Sequence, residues 1–204
     1  MPSTQRISLG KYDWHFKEKE AEAWIACSKF PTVVQHELRH LGKLPDEAVE
    51  FNERKIQWVG ERDWLFRTHF TTPADVNTYD LVQLAFDGLD TVATVKLNDK
   101  LILESDNMFL PEVVDVNRCL AGAGEQNTLE ILFESAARVA LEREKEYEKS
   151  FLDIRESSRM YIRKAQFQWG WDWVCQCEER VTIIADEFVG PRDDNRWAIQ
   201  GYQT

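Results

Sequence analysis

The sequence predicts an all-β fold, a sandwich of two packed sheets with one charged helix on its surface. From residue 54 to residue 134, hydrophobic and polar side chains alternate with a period of two, as in strands that bury one face. Turn residues recur about every 10 positions along this stretch, a spacing typical of β-sandwiches. The alternation stops at Ser135–Ser150, in which half of the residues are charged.

The first part of the chain predicts two short strands, Gln5–Leu9 and Tyr12–Phe16, separated by Gly10. Lys17–Ala26 alternates charges without a wide apolar stripe, which predicts a helical turn on the surface or a loop. Later strands are predicted at Lys55–Val59, Trp64–Thr71, Tyr79–Phe86, Val92–Leu97, Leu101–Leu103, Phe109–Val116 and Leu129–Phe133.

Turn signals divide these strands. The pair Asp87-Gly88 predicts a turn, and Asn98-Asp99-Lys100 predicts a short hairpin. Pro111 interrupts its strand, which favours a sheet edge or a bulge. At each of these residues we therefore expect the chain to reverse direction or to stop pairing with a neighbouring strand.

The charged stretch Ser135–Ser150 predicts a surface helix, with opposite charges three residues apart at Glu142/Lys145 and Glu146/Lys149. Such pairs each contribute a few tenths of a kcal/mol, about 0.2–0.5. Met160–Trp169 is predicted to return to strand. Beyond it, Val181–Ala185 can form one more strand, and Asp186–Thr204 contains no predicted element.

Composition excludes several classes of protein. The net charge of −11 argues against a surface that tracks nucleic-acid phosphates. No apolar run approaches the roughly 20 residues that span a bilayer, and the first residues show no apolar region typical of a secretion signal. Four scattered cysteines in a chain of 204 residues favour free thiols and a cytoplasmic location.

One motif suggests a metal site. His36-Glu37-Leu38-Arg39-His40 fits H-E-x-x-H, which on a helix places two zinc ligands on one face and a general base between them. The segment between Pro31 and Gly42 leaves space for about three turns, and Arg39 adds a positive charge. No motif fixes a third ligand, so we predict a solvated surface segment, with a zinc metallopeptidase as an alternative function.

The stretch from Arg163 to Trp173, here called the tryptophan motif, carries the clearest binding signal. Trp169, Trp171 and Trp173 alternate with Gly170 and Asp172. An indole suits the C–H face of a pyranose, and a neighbouring carboxylate accepts hydrogen bonds from sugar hydroxyls. From the residues alone, a core strand rich in tryptophan explains the pattern equally well.

Several blocks together resemble the N-terminal domain of the β-mannosidases of glycoside hydrolase family 2. The blocks are Phe30–Val34, Gly42–Asp46, Gln57–Arg67, Phe86–Thr91, Val95–Asn98 and the tryptophan motif. The resemblance covers residues 5–173 and is most specific in the tryptophan motif. It implies a jelly-roll, galactose-binding-like sandwich over residues 1–173, with residues 174–204 a divergent tail.

The resemblance also implies a function. In that family a jelly-roll domain precedes immunoglobulin-like and (β/α)₈ barrel domains, and its tryptophan and aspartate reach into the barrel and contact the mannose. The matching positions are Trp171 and Asp172, which we expect to bind a β-mannoside sugar. The H-E-x-x-H segment falls where the family has a connection without metal, so no metal or cofactor is expected.

Two departures limit the implied activity. After Trp173 the family continues with Gly-Pro, whereas this chain has Val174–Cys177. The two catalytic glutamates of the family, about 5–5.5 Å apart in a retaining enzyme, lie on a barrel of about 250 residues. We therefore expect a β-mannosidase domain that contributes substrate contacts without hydrolysing alone; the alternative is a stand-alone, weak carbohydrate-binding or regulatory module.

Overall fold

Two antiparallel sheets enclose one hydrophobic core in the computed structural model, which describes residues 5–46, 49, 51–147, 157–165 and 182–189. The strands are β1 (Arg6–Ile7), β2 (Trp14–Glu18), β3 (Ile25–Ala26), β4 (Trp64–Thr71), β5 (Gln83–Asp90), β6 (Val92–Leu97), β7 (Lys100–Ser105), β8 (Glu112–Asp115), β9 (Gln126–Glu134) and β10 (Thr182–Val189). The α-helices are α1 (Val34–His40), α2 (Glu53–Ile56) and α3 (Ala136–Glu146). Short 3-10 turns cover Leu9–Lys11, Gln57–Val59, Val76–Thr78 and Ser157–Tyr161.

The strand order defines the two layers. One sheet has the order β1-β10-β5-β8, and the other has the order β3-β2-β4-β9-β6-β7. The ladders between the described strands are all antiparallel. The prediction of an all-β sandwich is confirmed.

The core follows from the alternation along the central strands. On β4 the side chains of Trp64, Phe66, Thr68 and Phe70 are buried, while the alternate residues Leu65, Arg67, His69 and Thr71 are at least partly exposed. The paired strand β9 buries Leu129, Ile131 and Phe133 in the same way, so that Phe66 meets Phe133 edge to face at 6.0 Å. Such aromatic pairs contribute about 0.5–1.5 kcal/mol beyond the area they bury.

Two local predictions are confirmed. Asn98 and Asp99 both have positive φ angles, which is what a two-residue hairpin turn between right-twisted strands requires. Helix α3 begins at Ser135, whose side chain accepts the Arg138 N–H at 3.1 Å. It buries only Ala136, Val139 and Ala140, as expected for a charged surface helix.

Three local predictions are wrong. Lys55–Val59 forms α2 and a 3-10 turn instead of a strand, because a short apolar run is ambiguous between helix and strand. The pair Asp87-Gly88 forms no turn, since β5 continues to Asp90 and pairs with β10. Met160–Trp169 does not begin as a strand: Ser157–Tyr161 is a 3-10 turn, and residues 166–169 lie outside the described part of the chain.

The last described strand comes from the part of the chain expected to be a divergent tail. Strand β10 lies between β1 and β5 and runs past Asp186, where no element was predicted. The domain boundary at residue 173 stays a prediction. Among the described residues, no helix combines the length and apolarity that crossing a membrane requires.

Candidate functional site

The H-E-x-x-H sequence lies on α1, where His36 is half-buried and His40 is exposed. The helix ends at Gly42, whose φ of +68° is left-handed and whose N–H donates to the Arg39 carbonyl. Glu37 lies between the histidines in sequence, but its side chain points inward and is 1% exposed.

The carboxylate of Glu37 is occupied by the loop that precedes α1. It accepts hydrogen bonds from the Ser28 N–H at 2.6 Å, from the Ser28 hydroxyl at 3.1 Å and from the Thr32 hydroxyl. These donors, rather than a metal-bound water, use the oxygens that a general base would need. Among the residues described by the structure, no three His, Cys, Asp or Glu side chains converge on a possible metal position.

Glu37 also affects a neighbouring thiol. Burial of Cys27, followed by the negative charge of Glu37, raises the pKa of the Cys27 thiol to about 12. Because the nucleophilic form of cysteine is the thiolate, Cys27 is unreactive at neutral pH. The region around α1 is therefore a packed connection with one satisfied carboxylate and one inert thiol.

The first three residues of the tryptophan motif are each held by a contact with another part of the sandwich. The carbonyl of Arg163 accepts the Met108 N–H at 3.1 Å, and the N–H of Ala165 lies 3.0 Å from the Met108 sulfur. Between them, the Lys164 ammonium donates to Asp90 Oδ1 at 2.7 Å. These contacts attach residues 163–165 to the end of β5 and to the loop after β7; we call this region the junction.

The ion pair of the junction is withdrawn from solvent. The side chains of Lys164 and Asp90 are 1% and 4% exposed. The Thr91 hydroxyl donates to the same oxygen, Asp90 Oδ1, whereas Oδ2 is buried without a hydrogen-bond partner among the described residues. A buried charge is tolerated only when it is paired, so each member of the pair depends on the other.

Gly88 allows the loop after β7 to come close to β5. A Cβ atom at this position would lie 3.1 Å from the Met108 carbonyl oxygen, tighter than ordinary contacts. The absence of a side chain here lets Met108 reach Arg163 and Ala165. The residue that the sequence suggested as a turn thus serves a close backbone approach within a strand.

The two residues predicted to bind sugar, Trp171 and Asp172, lie outside the described residues. The junction ends at Ala165, six positions before Trp171. Sequence reasoning missed Asp90 and Lys164 as interacting residues, although both occur in the blocks that carry the family resemblance. The sequence alone contains no signal that pairs these two residues, which are 74 positions apart.

An exposed apolar segment adjoins the junction. Phe109 and Leu110, directly after Met108, are 61% and 52% exposed, and Val113 on the edge strand β8 is 40% exposed. Large apolar side chains grouped on a surface commonly mark a contact with another protein surface. Phe109 and Leu110 thus lie next to the junction, which precedes Trp171 and Asp172 in sequence.

A second charged cluster holds α3 to the sheet. Asp63 accepts the Ser135 N–H and the Arg138 guanidinium, each at 2.9 Å, and lies 3.3 Å from the Lys19 ammonium. Burial of Asp63 opposes its ionisation, but the Ser135 N–H and Arg138 outweigh burial and lower the pKa of this carboxyl. The Asp63 hydrogen bond in turn raises the pKa of Arg138. These groups satisfy one another, and the arrangement is structural.

The fold that carries the junction is a sandwich of two antiparallel β-sheets. A family model described as the glycosyl hydrolase 2 galactose-binding domain-like domain matches residues 14–183. The chain belongs to this family.

The similar proteins narrow the comparison to one kind of enzyme. The chain is 43% identical to "Beta-mannosidase B" of Aspergillus clavatus over 180 residues, which are 85% of this chain and 21% of that protein. It is 46% identical to the protein of the same name from Aspergillus terreus, over 78% of this chain and 19% of that one. The crystal structure of a β-D-mannosidase from Dictyoglomus thermophilum superimposes with a TM-score of 0.83 at 32% identity, covering 91% of this chain and 22% of that one.

The chain thus spans about a fifth of the length of the curated relatives it matches. The resemblance to the N-terminal domain of β-mannosidases is confirmed. The roles of Trp171 and Asp172 are not tested by these similarities.

Proposed function

We propose that this chain is the mannose-contacting domain of a β-mannosidase, an enzyme that removes terminal β-linked D-mannose. The observation that carries the proposal is the 43% identity to a β-mannosidase over 85% of the chain. In this proposal, the Trp171 indole covers the apolar face of the sugar and the Asp172 carboxylate accepts hydrogen bonds from its hydroxyls. The two catalytic glutamates belong to a barrel outside these 204 residues.

The proposal implies weak binding of sugar by the chain alone. A stacked ring contributes about 0.5–1.5 kcal/mol, and each hydrogen bond to a charged group about 1.5–3 kcal/mol. Immobilising the sugar costs several kcal/mol, at least about 4, and a Kd of 1 mM already requires about −4.1 kcal/mol. The expected Kd for mannose is therefore millimolar or weaker.

The test is a titration followed through the indole N–H signals of ¹⁵N-tryptophan-labelled protein. Mannose should shift the signal that is missing in Trp171→Phe, and Asp172→Asn should weaken the response. Trp58→Phe is the matched control, because Trp58 packs against Trp64 in the core region and should leave the response intact. Absence of any shift at high mannose concentration would refute the sugar contact.

A second arm separates a domain of an enzyme from a stand-alone binding module. An aryl β-mannoside should not be hydrolysed by this chain, and turnover abolished by Trp171→Ala would overturn the assignment of the glutamates to a barrel. Micromolar affinity for mannose or mannobiose would favour the stand-alone module, since such affinity needs about −8.2 kcal/mol.

We also propose that the exposed segment Phe109–Leu110 packs against the catalytic body of the complete enzyme. The support is its exposure and its place beside the junction. Without that body, the chain should associate at high concentration, and Phe109→Ser with Leu110→Ser should reduce association in sedimentation experiments. Leu101→Ser, at an exposed position on β7, is the control. A monodisperse monomer before substitution would contradict this part of the proposal.

We further infer a cytoplasmic location, supported by the free thiols of Cys27 and Cys119. Oxidising compartments favour disulfides. Cell fractionation tests the inference, and recovery in the secreted fraction would contradict it.

A further inference from the structure

The Lys164–Asp90 ion pair is hard to explain as a source of stability. Both side chains are buried, and a buried ion pair is commonly no more stabilising than apolar residues of the same volume. The Lys164 ammonium and the Thr91 hydroxyl both donate to Asp90 Oδ1, while Oδ2 lacks a partner among the described residues. Within the described part of the chain, only one oxygen of the carboxylate is therefore satisfied.

The place of the pair suggests a different role. Asp90 is the last residue of β5, and β6, in the other sheet, begins only two residues later. Its position is thus fixed by the ladders of both sheets. The partner Lys164 belongs to a segment that contacts the loop after β7 through the isolated bridge from Arg163 to Asn107 and the bonds to Met108.

A buried charge fixes the register of such a segment better than an apolar contact does. An apolar side chain can slide along a core, whereas a buried ammonium is satisfied only where its carboxylate is, and moving it leaves both charges unpaired. Trp171 lies seven positions after Lys164 in sequence, a distance of at most about 25 Å along the chain. The junction is therefore the part of the described chain that lies directly before Trp171 and Asp172 in sequence.

We propose that the Lys164–Asp90 ion pair is a positioning element that sets the register in which the tryptophan motif reaches the sugar. The proposal rests on the proposed function for its consequence, the alignment of Trp171 and Asp172. It makes Lys164 and Asp90 positioning residues that do not themselves touch the sugar.

The experiment replaces both charges together, in the double variant Asp90→Asn/Lys164→Met. This variant keeps the volumes similar and leaves no unpaired charge, so the Tm should fall by no more than roughly 4 °C. The indole signals of the buried Trp14 and Trp64 should stay in place. The Trp171 signal should move in the absence of sugar, and the affinity for mannose should fall at least roughly tenfold.

The control removes an ion pair elsewhere. Arg67 and Glu130 pair on the outer face of the six-stranded sheet at 2.5 Å, and Arg67→Met/Glu130→Gln should leave the Trp171 signal and the mannose response unchanged. Equal effects of the two double variants on Trp171 would overturn the proposal. So would a Trp171 signal in Asp90→Asn/Lys164→Met that superimposes on the original, or a general shift that includes Trp14 and Trp64.

The sugar-free and sugar-bound measurements separate the two proposals. If mannose fails to shift Trp171 in the unaltered chain, the proposed function fails, while the sugar-free shift still decides the positioning role. If mannose binds normally to both the unaltered chain and the double variant, the proposed function stands and the positioning role fails.

Discussion

Two buried carboxylates, Glu37 and Asp90, compensate the cost of burial in different ways. Glu37 is 1% exposed and accepts three hydrogen bonds from Ser28 and Thr32, all within nine residues of it in sequence. Asp90 is 3% exposed, and the cation that pairs with it comes from Lys164, 74 residues away.

The difference separates local from long-range organisation. The donors to Glu37 hold one loop against α1, so this carboxylate organises a connection. The Lys164–Asp90 pair instead joins the end of β5 to the first residues of the tryptophan motif. A motif search selects Glu37, whereas the geometry selects Asp90, because only Asp90 lies where distant parts of the chain meet.

The largest expected effect follows from removing the cation alone. Lys164→Met leaves the Asp90 carboxylate buried and unpaired, and we expect the free energy of unfolding to fall by about 3–5 kcal/mol. Urea denaturation at pH 7 measures this change. Adding Asp90→Asn to the same chain should restore most of the loss, and a single variant within about 1 kcal/mol of the original would show that the pair is dispensable.

The next largest effect on the free energy of unfolding should come from Glu37, whose described partners are neutral donors. Glu37→Gln weakens charge-assisted hydrogen bonds and places an amide group against donors, so we expect a loss of about 1.5–3 kcal/mol in the same assay. His36→Ala is the matched control on the same helix and should change stability by less than about 1 kcal/mol. Stoichiometric zinc in the purified protein that is lost on His36→Ala would contradict this account and support the metallopeptidase.

The sequence predicts the sandwich well where alternation and turn chemistry agree. Strand β4 matches its predicted bounds, Trp64–Thr71, and the hairpin at Asn98-Asp99 needs only local backbone preferences. Helix α3 is equally local, since Ser135 caps it and its charged face needs no partner in the core.

Long-range contacts explain what the sequence could not predict. The pair Asp87-Gly88 predicts a turn from local preferences alone. In the structure it lies within β5, because β10 pairs with this strand and Met108 packs against Gly88. The burial of Lys164 depends on Asp90, which lies 74 positions earlier in the sequence and next to it in the fold. The sugar-binding role of Trp171 and Asp172 came from the family resemblance and stays a prediction, because both lie outside the described residues.

The Asp63 side chain is 16% exposed, which makes it less buried than Glu37 and Asp90. Its contribution to the free energy of unfolding should depend on pH. Its pKa is lowered in the folded state, so near and below the ordinary value of about 3.9 the unfolded chain binds the proton more readily. The stabilisation is therefore complete above that value and is lost as pH falls through the folded pKa. We expect Asp63→Asn to cost about 1 kcal/mol at pH 7. This deficit should shrink as urea denaturation is repeated from pH 5 toward lower pH, and a deficit independent of pH would contradict the assignment.

The smallest effect should come from Arg67 and Glu130, whose side chains are 33% and 20% exposed and therefore closer to solvent than those of Lys164 and Asp90. A double-mutant cycle with Arg67→Met and Glu130→Gln should give a coupling energy of about 0.2–1 kcal/mol, decreasing in high salt because exposed charges are screened. The Arg67 guanidinium also lies 4.0 Å from the Trp24 ring centroid. Arg67→Met removes this contact as well as the ion pair, whereas Glu130→Gln removes only the ion pair. The double-mutant cycle is needed to separate the two contributions. The same cycle on Lys164 and Asp90 should give a larger coupling that is insensitive to salt. If the two coupling energies are equal, burial does not make Lys164 and Asp90 depend on each other more strongly than Arg67 and Glu130 do.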